Sequence, residues 1–177
     1  MRKTIFVMSF LVCALFCGCA SQKLYEQNLI ENYPLADFSE VIETNRDVLS
    51  LLNDTRSYLL DNYTNSANLL GTSSTSNMIT LSVYSSFDWV STALPADLSY
   101  TIVAEFRDGR MRFSSKDVEV ACYNGYNQKF IIRDQSGWKG AGYKTLRKKG
   151  SALYQQQLED LKTAFHKIAE GKLESNW

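Results

Sequence analysis

Residues 100–113, YTIVAEFRDGRMRF, constrain the fold of this chain more than any other stretch. Asp108-Gly109 stands between two alternating runs, the sequence pattern of a β-hairpin closed by a two-residue type I′ turn. Counting outward from that turn sets Arg107 opposite Arg110, Phe106 opposite Met111, Glu105 opposite Arg112 and Ala104 opposite Phe113. One face of the hairpin is then apolar, and the other carries the opposite-charge pair Glu105–Arg112, a favourable cross-strand contact.

The hairpin must be completed by its neighbours, because an isolated two-stranded ribbon is marginal in water. DFSEVIET (37–44) reads as a first strand. In TNRD, Thr44 is the candidate N-cap of a following helix, with Asp47 at the capping-box distance. Val48, Leu51, Leu52, Thr55, Leu59 and Tyr63 recur at helical spacing, which predicts an amphipathic helix over about 45–62. Residues 64–77 are polar and turn-rich, and read as a loop. In NMITLSVYS, Ile79, Leu81 and Val83 alternate with Thr80 and Ser82, the pattern of a half-buried strand. Residues 86–98 carry no clear period, and Pro95 suggests a loop near their end.

DVEVACY (117–123) alternates through Val118, Val120 and Cys122, either extending the second hairpin strand through a bulge or forming another strand. KFIIR (129–133) is a short apolar strand. After the glycine-rich SGWKGAG, a final helix is expected from about Ser151, with Tyr154, Leu158, Leu161, Phe165 and Ile168 along one face and Gly171 as its C-cap. The order is β-α-β-β-β-(β)-α: an α+β domain, with an antiparallel sheet of about four to five strands and two helices.

The amino terminus answers a different question. Arg2 and Lys3 precede an apolar run from Ile5 to Phe16, the pattern of a secretory signal, and the run is shorter than the ~20 residues of a spanning helix. Phe16-Cys17-Gly18-Cys19 resembles the lipobox of bacterial lipoproteins. The resemblance implies cleavage before Cys19 and acylation, by palmitate among other chains, of its thiol and new amino group. Residues 1–18 then form a signal peptide, 19–36 a lipid-anchored tether and 37–177 a single domain. Ala20, in place of Asp after the lipidated cysteine, resembles lipoproteins sorted to the outer membrane and facing the periplasm.

Cleavage and acylation would leave Cys122 as the one thiol of Cys13, Cys17, Cys19 and Cys122, so no internal disulfide is available. The whole chain has 19 basic and 19 acidic side chains; without Arg2 and Lys3 it is slightly acidic, unlike a nucleic-acid binder. Its 45% apolar content supports a packed core.

The lipobox, the strand-helix unit with Phe38 and Val41-Ile42, the polar loop into a strand, and the hairpin from Tyr100 to Phe113 together resemble a family of bacterial envelope domains of unknown function with a TATA-box-binding-protein-like fold. The resemblance covers roughly residues 37–123. Such domains often carry Trp in the first helix, where Tyr58 and Leu59 stand here. The resemblance implies a fold and an address, and no catalytic residue.

His166 is the lone histidine, and it lies off the apolar stripe of the last helix. One histidine and one free cysteine do not make a zinc site or a hydrolytic triad, so neither metal nor cofactor is expected. Cys122 shares the alternating face of two valines, which favours a small buried residue over a nucleophile. The local feature that stands out is WKGAGYKTLRKKG (138–150). Lys139, Lys144, Arg147, Lys148 and Lys149 stand there with Trp138 and Tyr143, and with no acid. A basic-aromatic loop of this kind is a candidate site for anionic lipid or an acidic envelope partner, set against a merely solvated loop.

The functional expectation is a non-enzymatic binding module held to the envelope through Cys19. The alternatives are an envelope hydrolase or modifying enzyme using acidic residues, and a structural subunit of an envelope assembly. Replacing Cys19 with Ser is expected to move the protein from the membrane to the soluble fraction and to remove the acyl mass. An unchanged fractionation and an unchanged mass would overturn the anchor.

Overall fold

The computed structural model describes residues 27–63, 73–75, 77–90, 94–123, 129–132 and 141–173. The signal pattern, Cys19, Trp138 and Lys139 lie outside the described residues. The chain divides at Leu35 into two units. In the first, residues 27–32 are helical, with Gln27 bonded to Glu31 and the Asn32 amide to the Asn28 carbonyl. This turn, supported by side chains four apart, falls within the expected tether over 19–36. Leu35 and Ala36 already belong to the second unit: Leu35 is buried, and the Tyr154 hydroxyl reaches the Ala36 carbonyl at 3.0 Å.

The hairpin forms in the expected register. β4 (Leu94–Arg107) and β5 (Arg110–Tyr123) pair with Arg107 opposite Arg110 and Ala104 opposite Phe113. The turn differs from type I′, which needs positive φ at both central residues. Gly109 has φ 76°, whereas Asp117 is the sole positive-φ residue among the described non-glycines, so Asp108 is not one. A third segment bears on this turn, because the Thr44 N–H donates to the Gly109 carbonyl.

Around this ribbon lie β1 (Phe38–Glu43), β2 (Ser73–Thr75), β3 (Met78–Val90) and β6 (Lys129–Ile132), all antiparallel to their neighbours. The order is β1-β5-β4-β3-β2. β1 pairs with residues 110–115 of β5 and β6 with residues 120–123. The class and order agree with the sequence, with two corrections. The polar segment 64–77 contains β2, which is held by pairing with β3 rather than by its own polar composition. The ambiguous segment 86–98 contains strand on both sides: Pro95 opposes Asp88 and precedes the first β4–β5 pair, Ala96–Cys122, so its missing N–H removes no bond from that ladder.

β5 is one strand with a bulge. The ladder runs from Thr101 opposite Lys116 to Ser99 opposite Glu119, leaving Asp117 and Val118 facing Tyr100 alone. Asp117 takes φ 55° and donates its N–H to Asp37 Oδ1 at 2.9 Å. The extra residue reverses the alternation. Met111, Phe113 and Ser115 before it, and Val118, Val120 and Cys122 after it, are all buried.

Two helices cover that face. α1 (Val48–Tyr63) buries Leu51, Thr55 and Leu59. Its cap is Asp47, not Thr44: Asp47 Oδ1 accepts the Ser50 N–H and Oδ2 the Ser50 hydroxyl, which holds this carboxyl below its usual range. Thr44 is engaged elsewhere, donating its hydroxyl to the Ala169 carbonyl at 2.6 Å. Arg46 donates to the Ile168 carbonyl at 2.7 Å and pairs with Asp54. A hydroxyl and a cation thus close the C-terminus of the last helix, α2 (Ala141–Glu170), where the dipole is negative. Gly171, with φ 70°, completes the expected C-cap: its N–H donates to Ile168 and that of Lys172 to Lys167, a Schellman motif.

α2 (Ala141–Glu170) begins ten residues before the expected start at Ser151. Arg147 and Gly150 interrupt the apolar stripe in sequence, yet both lie on its buried face with Tyr143, Leu146 and Tyr154. At Gly150 helix and sheet approach closely: a Cβ there would stand 2.4 Å from Val120 Cγ2 and 3.3 Å from Val120 Cβ. Farther along, Phe165 stacks on Phe113 with centroids 4.5 Å apart.

Gly150→Ala should gain helix propensity of about 1 kcal/mol but lose about 1–3 kcal/mol to overpacking against a stiff valine. Urea unfolding is expected to show a net loss in the wild-type background and a gain in a Val120→Ala background. A gain in both would overturn the close-approach argument.

Candidate functional site

α2 sorts the basic segment onto two faces. Tyr143 and Arg147 point into the core; Arg147 is fully buried, with Nη1 3.4 Å from the Tyr143 hydroxyl. Lys144, Lys148 and Lys149 are exposed. Of the expected cluster of Lys139, Lys144, Arg147, Lys148, Lys149, Trp138 and Tyr143, Arg147 and Tyr143 are corrected to core positions, and Trp138 and Lys139 lie outside the described residues. The segment is helical from Ala141, and a helix turns about 100° per residue, so 143/147 and 144/148 cannot share one surface. Arg147 is not available to a surface anion.

Lys144 and Lys148 share one exposed face in the first turns of the helix, and Lys149 is exposed about 100° farther round. The first turn holds no acid, and Lys144 and Lys148 are like charges at i,i+4. Both arrangements oppose helix stability, the first through the dipole and the second through repulsion. Lys149 also donates to the Asp88 carbonyl at 3.0 Å, tying α2 to the end of β3.

A second surface is invisible in sequence. Between β1 and the C-terminal half of α2 runs an open groove of about 670 Å³, lined by Phe38, Glu40, Glu159, Lys162, His166 and their neighbours. His166 Nε2 meets Glu40 Oε1 at 3.0 Å, both side chains partly exposed. Lys162 bonds Glu159 at 2.6 Å and lies 4.5 Å over the Phe38 ring. Glu40 and His166 are far apart in the chain, and no local spacing links them.

Cys122 and His166 do not meet. Cys122 lies two residues from Val120, which touches Gly150, and His166 is about 24 Å farther along α2 at ~1.5 Å per residue. Cys122 is buried, and burial pushes its thiol up, away from the thiolate a nucleophile needs. Among the described residues no three His, Cys, Asp or Glu side chains cluster as metal ligands.

Between helices and sheet sits a polar layer. The Tyr100 hydroxyl donates to Gln157 Oε1 at 3.0 Å, and Gln157 Nε2 donates to Ser85 at 3.0 Å. The Tyr154 hydroxyl, which donates to Ala36, also stands 3.1 Å from the Ser115 hydroxyl. Tyr100 and Tyr154 meet edge to face at 5.5 Å. These bonds fix α2 in register on the sheet and satisfy polar groups that would be costly to bury alone.

No protein-family model matches this chain, and no curated protein matches it. Two solved structures do. A TBP-like protein from Parabacteroides distasonis is 14% identical, with a TM-score of 0.55 over 73% of this chain and 91% of that one. A DUF4468 family protein from Bacteroides ovatus is 13% identical, with a TM-score of 0.53 over 73% of this chain and 85% of that one. At such identities the likeness is one of fold. The chain has a TBP-like fold, as its hairpin and first strand-helix unit suggested, and the fold name carries no implication of DNA binding.

Burial, followed by the charges of neighbouring phenols, raises Tyr63 and Tyr100 above the ordinary tyrosine value. A proton held more tightly in the folded state contributes stability that is complete below pH ~10 and is lost as pH rises toward the folded value. Absorbance titration is expected to show these two phenols ionising only together with alkaline unfolding. Their ionisation near pH 10 in a chain that keeps its far-UV signal would overturn the assignment.

Proposed function

We propose that this chain is a lipid-anchored cell-envelope domain that acts by binding, held to an outer membrane through acylated Cys19 and facing the periplasm. The observation that carries the binding reading is the set of exposed lysines on the first three turns of α2, Lys144, Lys148 and Lys149, in a helix whose first turn holds no acid. A lysine pair retained against like-charge repulsion at i,i+4 suits an anionic contact.

Anionic head groups are the preferred ligand class for a tethered domain. Each lysine near such a surface contributes about 1 kcal/mol, falling off within a Debye length of ~8 Å at physiological salt. The anchor keeps the domain within reach, so weak contacts suffice. An acidic envelope protein would use the same face.

The test separates face from anchor. Full-length protein is incubated with phosphatidylglycerol-containing vesicles and with phosphatidylcholine vesicles, alongside the Lys144→Gln, Lys148→Gln, Lys149→Gln triple variant, each with Cys19→Ser. The expected result is salt-sensitive binding to the anionic vesicles, reduced on the order of 100-fold by the triple change, from about 1 kcal/mol for each charge. Equal binding to both lipids, or an unaffected triple variant, would overturn the lysine-face reading and leave the anchor to be judged by fractionation.

A further inference from the structure

The Thr44 N–H bond to the Gly109 carbonyl continues the β1–β5 register, in which Phe38 opposes Ser115 and Glu43 opposes Arg110. Thr44 and the even-numbered residues of β1 therefore exchange hydrogen bonds with β5, because such bonds alternate along an antiparallel pair. Ser39, Val41 and Glu43 direct their N–H and C=O groups the other way, out of the sheet. β1 is the terminal strand on that side. Among the described residues the edge is open: Ser39 and Glu43 are exposed, and Val41 is 54% exposed. β1 contains no proline, lysine or bulge, and its charged side chains are Glu40, held by His166, and Glu43 at its end.

We infer that two copies of this chain pair through β1, antiparallel about a two-fold axis at Val41, and so join their sheets into one. The occupant follows from the side-chain pattern. For outward groups to meet outward groups, odd-numbered residues must oppose odd-numbered residues. An axis at Val41 uses all three of them and sets Val41 against Val41 of the second copy. It also places each Ser39 opposite a Glu43, a hydroxyl facing a carboxylate. An axis at Glu43 would oppose two like charges, and one at Ser39 would leave both valines in water. The Val41-centred register forms about six backbone hydrogen bonds and covers the apolar side chain at the middle of the edge. On the helix side, Glu40 remains with His166 and brings no like charge directly opposite itself. The association is isologous, so it closes as a dimer and does not propagate.

The test uses the full chain in its native envelope. In the paired state the Cα atoms of the two Val41 residues stand about 5.5 Å apart, whereas the two Glu43 residues are roughly 14 Å apart, from a ~3.4 Å rise per residue and ~4.8 Å between strands. With a short-spacer thiol crosslinker, Val41→Cys is expected to run as a dimer, and Glu43→Cys and the wild-type chain as monomers. Purified wild-type protein at high micromolar concentration should have twice the chain mass by light scattering. Val41→Lys should have the single-chain mass with an unchanged far-UV spectrum. A monomeric wild-type chain, an uncrosslinked Val41→Cys, or a Glu43→Cys that crosslinks equally well would overturn the pairing, including the case in which the edge takes a strand from a different protein.

Discussion

Asp117 is one residue too many for the β4–β5 ladder, and much of the domain depends on how β5 absorbs it. With side chains alternating every second residue, an unbroken strand carrying Met111, Phe113 and Ser115 inward would carry Val118, Val120 and Cys122 outward. The bulge opposite Tyr100 restores the phase, so one strand presents a buried face along its whole length. β5 can then serve as the common partner of β4, β1 and β6, with β1 before the bulge and β6 after it on the same side. Val120, returned to the inner face, becomes the surface on which Gly150 rests.

That contact lets a thirty-residue helix lie across the sheet. α2 is fixed at three places by different physics. Gly150 permits close approach near its start, Tyr154 and Gln157 hydrogen-bond into the polar layer at its middle, and Thr44 and Arg46 satisfy its last carbonyls. Both candidate surfaces belong to this helix. Its early turns expose the lysines, and its later turns form one wall of the groove beside β1. A rigid helix gives each surface a defined shape, which a glycine-rich loop would not.

The open edge of β1 and the lysine face ask different things of a partner. The edge offers oriented backbone groups and one apolar side chain, and so selects by register. The lysine face offers charge with little geometric demand, and so selects by sign and responds to salt. With the proposed anchor at Cys19, a domain could use both at once, since a tether raises the effective concentration of each contact.

Much of the fold was legible because it rests on local periodicity. The hairpin register, the strand through Ile79, Leu81 and Val83, the helix through Leu51, Thr55 and Leu59, and the C-cap at Gly171 follow from alternation, helical spacing and glycine chemistry within a few residues. Where the sequence misled, the deciding atoms were distant. Asp47 caps α1 while Thr44 bonds Ala169, β2 exists because β3 pairs with it, and Gly150 lies inside α2 where Val120 leaves room for no side chain. The same holds for the sites. The sequence by itself marked a basic segment and a lipobox-like cysteine. Only the tertiary structure decided that Arg147 is core and Lys144, Lys148 and Lys149 are surface, that Glu40 meets His166, and that β1 has a free edge. Periodicity is a property of neighbouring residues, whereas burial, ion pairing and edges depend on which parts of the chain pack together.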